Sequence, residues 1–179
     1  MADTPTARVW TGRGLFVVLS GLIIFLHLLP LDSRPDTWPV PDVLLLMAVA
    51  WSARRPEYAP ITFIALITLL ADLLFQRPPG LWAGLVVILC EILRRRARQF
   101  RNTPILLEWM SVALGIIAIT LANRMILAIV ATPQAPITLT ILQTGMTILL
   151  YPAIVGLAHV LFGVSRPAPG QTDSLGHRL

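Results

Sequence analysis

Lysine is absent from the 179 residues, so all 14 basic side chains are arginine, and cysteine occurs once. The lone Cys90, set in an apolar segment, excludes a disulfide framework and a cysteine-based metal site, and reads as a small packing residue. Charge is scarce as well, at 13% of residues against about 25% in a soluble domain. Motifs that bring chemistry are missing: no glycine-rich phosphate loop, no His-x-x-x-His pair and no nucleophile elbow. The histidines, His27, His159 and His177, fall in different segments, and the first two belong to opposite membrane faces. The sequence therefore points away from an enzyme and calls for no cofactor and no metal. No internal repeat is visible, which removes the inverted-repeat plan of many transporters.

What the chain has is apolar length. Hydrophobic residues make up 56% and the mean hydropathy is +0.77, the mark of an integral membrane protein, one domain by size. A polar lead covers residues 1–13, a transmembrane domain 14–165 and a disordered polar tail 166–179. The spacing predicts six helices, at about 14–31, 40–53, 59–75, 81–93, 105–130 and 136–164. The first is expected as an uncleaved anchor, since no small-x-small site follows it. His27 near its outer end suits the interface. The second and fourth are short. Fourteen helical residues cover about 21 Å against a hydrocarbon core of about 30 Å. Helix four is expected to continue through Arg94–Arg101, and Pro152 to kink helix six.

Arginine placement orients the helices. With six spans and the N-terminus inside, the inner side holds Arg8, Arg13, Arg54, Arg55, Arg166, Arg178 and the cluster Arg94, Arg95, Arg96, Arg98 and Arg101. Only Arg34 and Arg77 fall outside, and Arg124 lies within a span. If the second segment failed to cross, the cluster would move outside, against the positive-inside rule. Both termini are therefore expected in the cytoplasm. This also accounts for the net charge of +5 without nucleic acid. The cluster suits anionic inner-leaflet lipid, with an acidic cytosolic partner as the sharper alternative.

The chain is organised around Thr68–Gly84, read as a helix end, a turn and a second helix start. Pro78 and Pro79 break the helix, Gly80 lets the backbone turn back, and Trp82 suits the headgroup level. Asp72 is a carboxylate inside the apolar run. It is expected to pair with Arg124, three and six residues respectively from the outer ends of their helices. Asp42, after Pro41, is expected to cap helix two; Asp32, Asp36 and Asp42 otherwise read as a solvated outer loop. Glu91 is expected to pair with Arg94 or Arg95, and Glu108 to answer the basic loop and its own helix dipole.

Three stretches carry a resemblance: PDVLLLMAVAWSARRPEYAP (residues 41–60), LLADLLFQRPPGLWA (69–83) and LLYPAIVGL (149–157). In order and spacing over nearly the whole chain, it resembles the rod shape-determining protein MreD family. The matching positions are Pro41 and Asp42 at the start of helix two, Asp72, Pro79 and Gly80 around the turn, and Tyr151 and Pro152 in the last helix. The chain departs from the family in having Leu69 where many relatives carry glycine, three residues before the aspartate.

The resemblance implies a non-enzymatic scaffold of the wall-elongation machinery in the bacterial inner membrane. Its partners would be an MreC-like single-span periplasmic protein, an MreB-like filament and peptidoglycan synthases. The implied fold is all-α and similar to the six-helix substrate-binding subunits of vitamin (energy-coupling factor) transporters. That likeness supplies the alternative, a subunit that captures a small nutrient. Small residues such as Gly145, Ala153 and Gly156 would allow close helix contact, and leave a homodimer open.

Overall fold

The computed structural model describes residues 5–29, 40–100 and 104–162, and every regular element in them is a helix. They are α1 Pro5–Leu28, α2 Val43–Arg54, α3 Ile61–Leu74, α4 Leu81–Phe100, α5 Ile105–Ile129 and α6 Ile137–Phe162. The six expected helices are all present, with shifts of a few residues at their ends. One boundary moves further. Helix α1 begins at Pro5, so most of the residues read as a polar lead are its first turns. Helix α4 does run on through the arginines to Phe100. Pro152 lies inside α6, exposed, and the helix continues on both sides of it. The tail 166–179, with Arg166 and Arg178, and the loop holding Asp32, Arg34 and Asp36 lie outside the described residues.

Helix α2 is the centre of the packing. Every residue from Leu44 to Ala53 is buried, so the helix is enclosed on all faces. It packs on α1, α4 and α6, while α3 and α5 flank α4. Its apolar circumference explains the burial: a helix hydrophobic all round has no face to offer water. It also explains the length. Twelve residues rise about 18 Å, too little to cross lipid alone, but α2 meets protein on all sides.

The outer helices look the other way. Leu114, Leu121 and Met125 on α5, Ile141 and Leu149 on α6, and Phe25 on α1 are exposed. Segments Val9–Leu28, Ile105–Ile129 and Ile137–Ala158 are each long and apolar enough to cross a membrane. Exposed apolar area on this scale suits lipid rather than water.

Two aromatic contacts join α1, α2 and the α2–α3 loop. Phe16 and Trp51 have ring centroids 5.4 Å apart, and Trp51 meets Tyr58 edge-on at 6.3 Å. Gly12 permits that approach, because a Cβ there would stand 2.6 Å from the Tyr58 ring.

Candidate functional site

One end of the bundle gathers arginines. Arg13 Nε donates to the Glu57 carbonyl at 3.1 Å. Arg94 donates to the carbonyls of Pro56 and Ala59. Arg94 therefore leaves the group offered to lipid or partners. Its position on α4 faces the α2–α3 loop, and the loop carbonyls hold it there. Arg95 pairs with Glu91 at 2.9 Å, one of the two expected partners, and Arg96 is exposed. The Arg98 side chain and Arg101 lie outside the described residues.

Beneath this basic end, α2, α5 and α6 share a polar knot. Arg54 reaches Glu108 through Nε to Oε1 at 3.0 Å and Nη2 to Oε2 at 3.3 Å, and Tyr151 Oη donates to Oε1 at 2.6 Å. Glu108 and Tyr151 are fully buried. A forked guanidinium–carboxylate pair with a phenol on the same oxygen satisfies charges that lipid cannot solvate. Sequence reasoning placed Glu108 near the basic loop but missed the knot. Its bonded pairs lie 43 and 54 residues apart, and no local spacing marks them.

The α3–α4 turn supplies partners to one oxygen of Asp72, while its buried Oδ1 has none among the described residues. Phe75 ends α3, Gln76 takes a positive φ of 54°, and Arg77 N donates to the Asp72 carbonyl at 2.9 Å, a Schellman closure. Gly80, at φ 86°, then starts α4 without a side chain to cap it. Asp72 supplies the cap instead: Oδ2 accepts from Gly80 N at 3.2 Å and Ala83 N at 3.0 Å. The helix N-terminus favours a negative charge there. Asp72 is fully buried, with Thr68 and Ala71 on the same face, while Leu69 points outward.

The expected pair between Asp72 and Arg124 is not formed. Arg124 donates through Nη1 to the Ala135 carbonyl at 3.1 Å and to Thr140 Oγ1, and its own carbonyl accepts from Gln134 Nε2 at 3.1 Å. The physical reason is local competition. Each charge finds unpaired groups next door, a bare helix N-terminus for Asp72 and the α5–α6 turn for Arg124.

Asp42 caps α2 as the sequence indicates: Oδ1 accepts from Leu45 N at 2.9 Å. It also reaches α6, since its backbone N donates to Thr147 Oγ1 at 3.1 Å. Thr147 is ten residues into α6, so α2 begins about 15 Å along that helix. The space beyond the start of α2 is a cavity of about 400 Å³. Asp42 and Leu45 form its floor, and the Gln76–Pro78 turn and Trp82 one wall. The other wall comes from α5 and α6, through Thr120, Asn123 and Arg124, and through Thr140, Gln143 and Thr144. Pro79 and Gly80 sit at the rim of the turn, exposed. His27 packs against Phe75 with the rings tilted by 47° and their centroids 4.4 Å apart.

Among the described residues, no group of three or more metal-ligating side chains comes together. Compared with family models, curated proteins and solved structures, the chain matches none.

Proposed function

We propose that this chain is a non-enzymatic scaffold of the cell-wall elongation machinery in the bacterial inner membrane. It would dock an MreC-like single-span partner and link it to an MreB-like filament and peptidoglycan synthases. The observation behind the reading is the order of short motifs at Pro41–Asp42, Asp72–Gly80 and Tyr151–Pro152. Each motif includes a residue that ties helices together: Asp42 joins α2 to α6, Asp72 joins α3 to α4, and Tyr151 joins α6 to α5 and α2 through Glu108. Motifs spent on helix-to-helix ties suit a rigid platform.

In this reading all six helices cross, with both termini inside. The basic end faces the cytoplasm, in keeping with the positive-inside rule, and Arg95 and Arg96 meet anionic lipid. Reporter fusions after Arg101 and Arg166 should read as cytoplasmic, and one at Gln134 as periplasmic; a periplasmic signal at Arg101 overturns the arrangement. Crosslinking in native membranes tests the scaffold. Recovery of wall-elongation proteins, with rounded cells on depletion, supports it.

The cavity favours a second reading, a subunit that captures a small molecule. At about 400 Å³ it falls within the range of ligand sites, about 300–1,000 Å³. Recovery of a nucleotide-binding ATPase pair in the same crosslinking would favour this reading over the scaffold.

A further inference from the structure

The face that α6 turns to the cavity is unlike the rest of the helix. Thr140, Gln143, Thr144 and Thr147 recur at intervals of three, one and three, which stacks them on one side. Thr120, Asn123 and Arg124 do the same on α5. Both helices otherwise expose aliphatic side chains, including Leu121, Met125, Ile141 and Leu142. Within helices apolar enough to cross a membrane, an ionisable residue such as Arg124 faces the bundle interior or a cavity and marks a site by default. Hydroxyl-to-carbonyl bonds satisfy part of the α6 stripe, as in Thr144 Oγ1 to the Thr140 carbonyl at 2.7 Å. Three members also reach other elements: Thr140 Oγ1 accepts from Arg124, Gln143 Nε2 donates to the Val40 carbonyl at 3.0 Å and Thr147 Oγ1 accepts from Asp42 N. Yet all four line the open volume, where the Gln143 side-chain carbonyl oxygen and the Thr144 hydroxyl keep acceptor capacity.

Charge decides what the volume takes. Two guanidinium groups line it, Arg77 and Arg124, against one carboxylate, Asp42, whose Oδ1 is already used by the α2 cap. Arg124 is held by the α5–α6 turn through Nη1, which leaves Nε and Nη2 in a fixed orientation. Arg77 lies over the Phe75 ring, 5.4 Å from its centroid, and its guanidinium makes no hydrogen bond among the described residues. Planar forks of this kind match carboxylate and phosphate oxygens.

We propose that the cavity between the α3–α4 turn, α5 and α6 binds a carboxylate or phosphate group at Arg77 and Arg124. Thr120, Asn123, Gln143 and Thr144 take the hydrogen-bonding remainder of the ligand, and Trp82 flanks it. The site gives the capture reading its ligand chemistry without requiring it, since a scaffold can seat an anionic lipid headgroup in the same place. The shared chemistry is the anion; its source is a soluble molecule or a lipid.

Trp82 gives the readout. Protein in phosphatidylcholine nanodiscs is titrated with inorganic phosphate and with citrate, and the fluorescence change is compared with that of Trp82→Phe. In parallel, nanodiscs containing phosphatidylglycerol are analysed by native mass spectrometry for retained lipid. A saturable change with phosphate or citrate identifies a soluble anion, and retained phosphatidylglycerol a headgroup. Either response should weaken about tenfold or more in Arg77→Gln, which loses a charged hydrogen-bond donor, and should recover in part in Arg77→Lys. Asn123→Ala, which leaves both arginines in place, should weaken binding less and guards against a folding defect in Arg77→Gln. No saturable response to either anion and no retained phosphatidylglycerol overturns the proposal. Binding unchanged in both Arg77→Gln and Asn123→Ala overturns it too. Partner crosslinking is unaffected by either result, so the scaffold reading stands or falls separately.

Discussion

Tyr151 Oη donates to Glu108 Oε1 at 2.6 Å, the same oxygen that accepts Arg54 Nε at 3.0 Å. One carboxylate oxygen thus holds α6 and α2 to the start of α5, with Glu108 and Tyr151 fully buried and the Arg54 side chain 9% exposed. Losing Arg54 removes a forked guanidinium from the buried Glu108, and breaking a buried ion pair from one side costs about 3–5 kcal/mol. Arg54→Met should therefore sharply reduce folded protein recovered from membranes. Tyr151→Phe removes one bond to a charged acceptor, worth about 1.5–3 kcal/mol, and should be milder. Thermal unfolding of the purified variants measures both; equal losses would show that the ion pair adds nothing beyond the phenol.

Asp72 and Arg124 provide a test of independence. Their hydrogen bonds go to different partners, so Asp72→Asn and Arg124→Gln should add to within about 0.5 kcal/mol when combined. A double variant markedly more stable than the sum would revive a direct pair between them. Asp72→Leu should cost more than Asp72→Asn, because it removes the cap of α4 outright, a loss of about 0.5–2 kcal/mol.

Gly12 should tolerate no side chain. A Cβ there would stand 2.6 Å from Tyr58 Cγ, a rigid ring packed on Trp51. Gly12→Ala should lower the thermal midpoint even though alanine favours helix by about 1 kcal/mol. Gly14→Ala, with nothing within 4 Å, should leave the midpoint unchanged or raise it.

Ala131 ends α5 at φ 54°, where Thr132 N closes on the Leu127 carbonyl at 3.0 Å. A left-handed residue with a Cβ costs about 1–2 kcal/mol, which glycine avoids. Ala131→Gly should raise stability by about 1 kcal/mol in the same unfolding assay, and a loss would argue against this closure of the helix.

Helices were the most legible part of the chain, because apolar runs bounded by proline and arginine set their ends with little help from tertiary context. The α2 cap was legible for the same reason, since Asp42 bonds only three residues ahead. The Asp72 partner was misread. An aspartate in an apolar run plainly needs a partner, but the sequence favours another charge, and the N–H groups that bond its Oδ2 belong to backbone eight and eleven residues on. The cavity was partly legible: Arg124 stood out as a charge within a span and Arg77 as one of the few outer arginines, and both line it. The threonine and glutamine stripe of α6 escaped notice because such residues are common in helices, and only the fold puts them opposite Arg77.

The enclosure of α2 bears on how the chain is made. At 12 residues it gains little from lipid while it is alone, and Asp42 and Arg54 lie at or beside its two ends. Its neighbour α4 emerges from the ribosome some forty residues later, and Glu108, Thr147 and Tyr151 later still. Until α5 and α6 have been synthesised, α2 must wait in the insertion channel, at the interface or in the care of a membrane chaperone. A chain cut short after α4 would hold Arg54 without Glu108, and would be a natural substrate for membrane quality control.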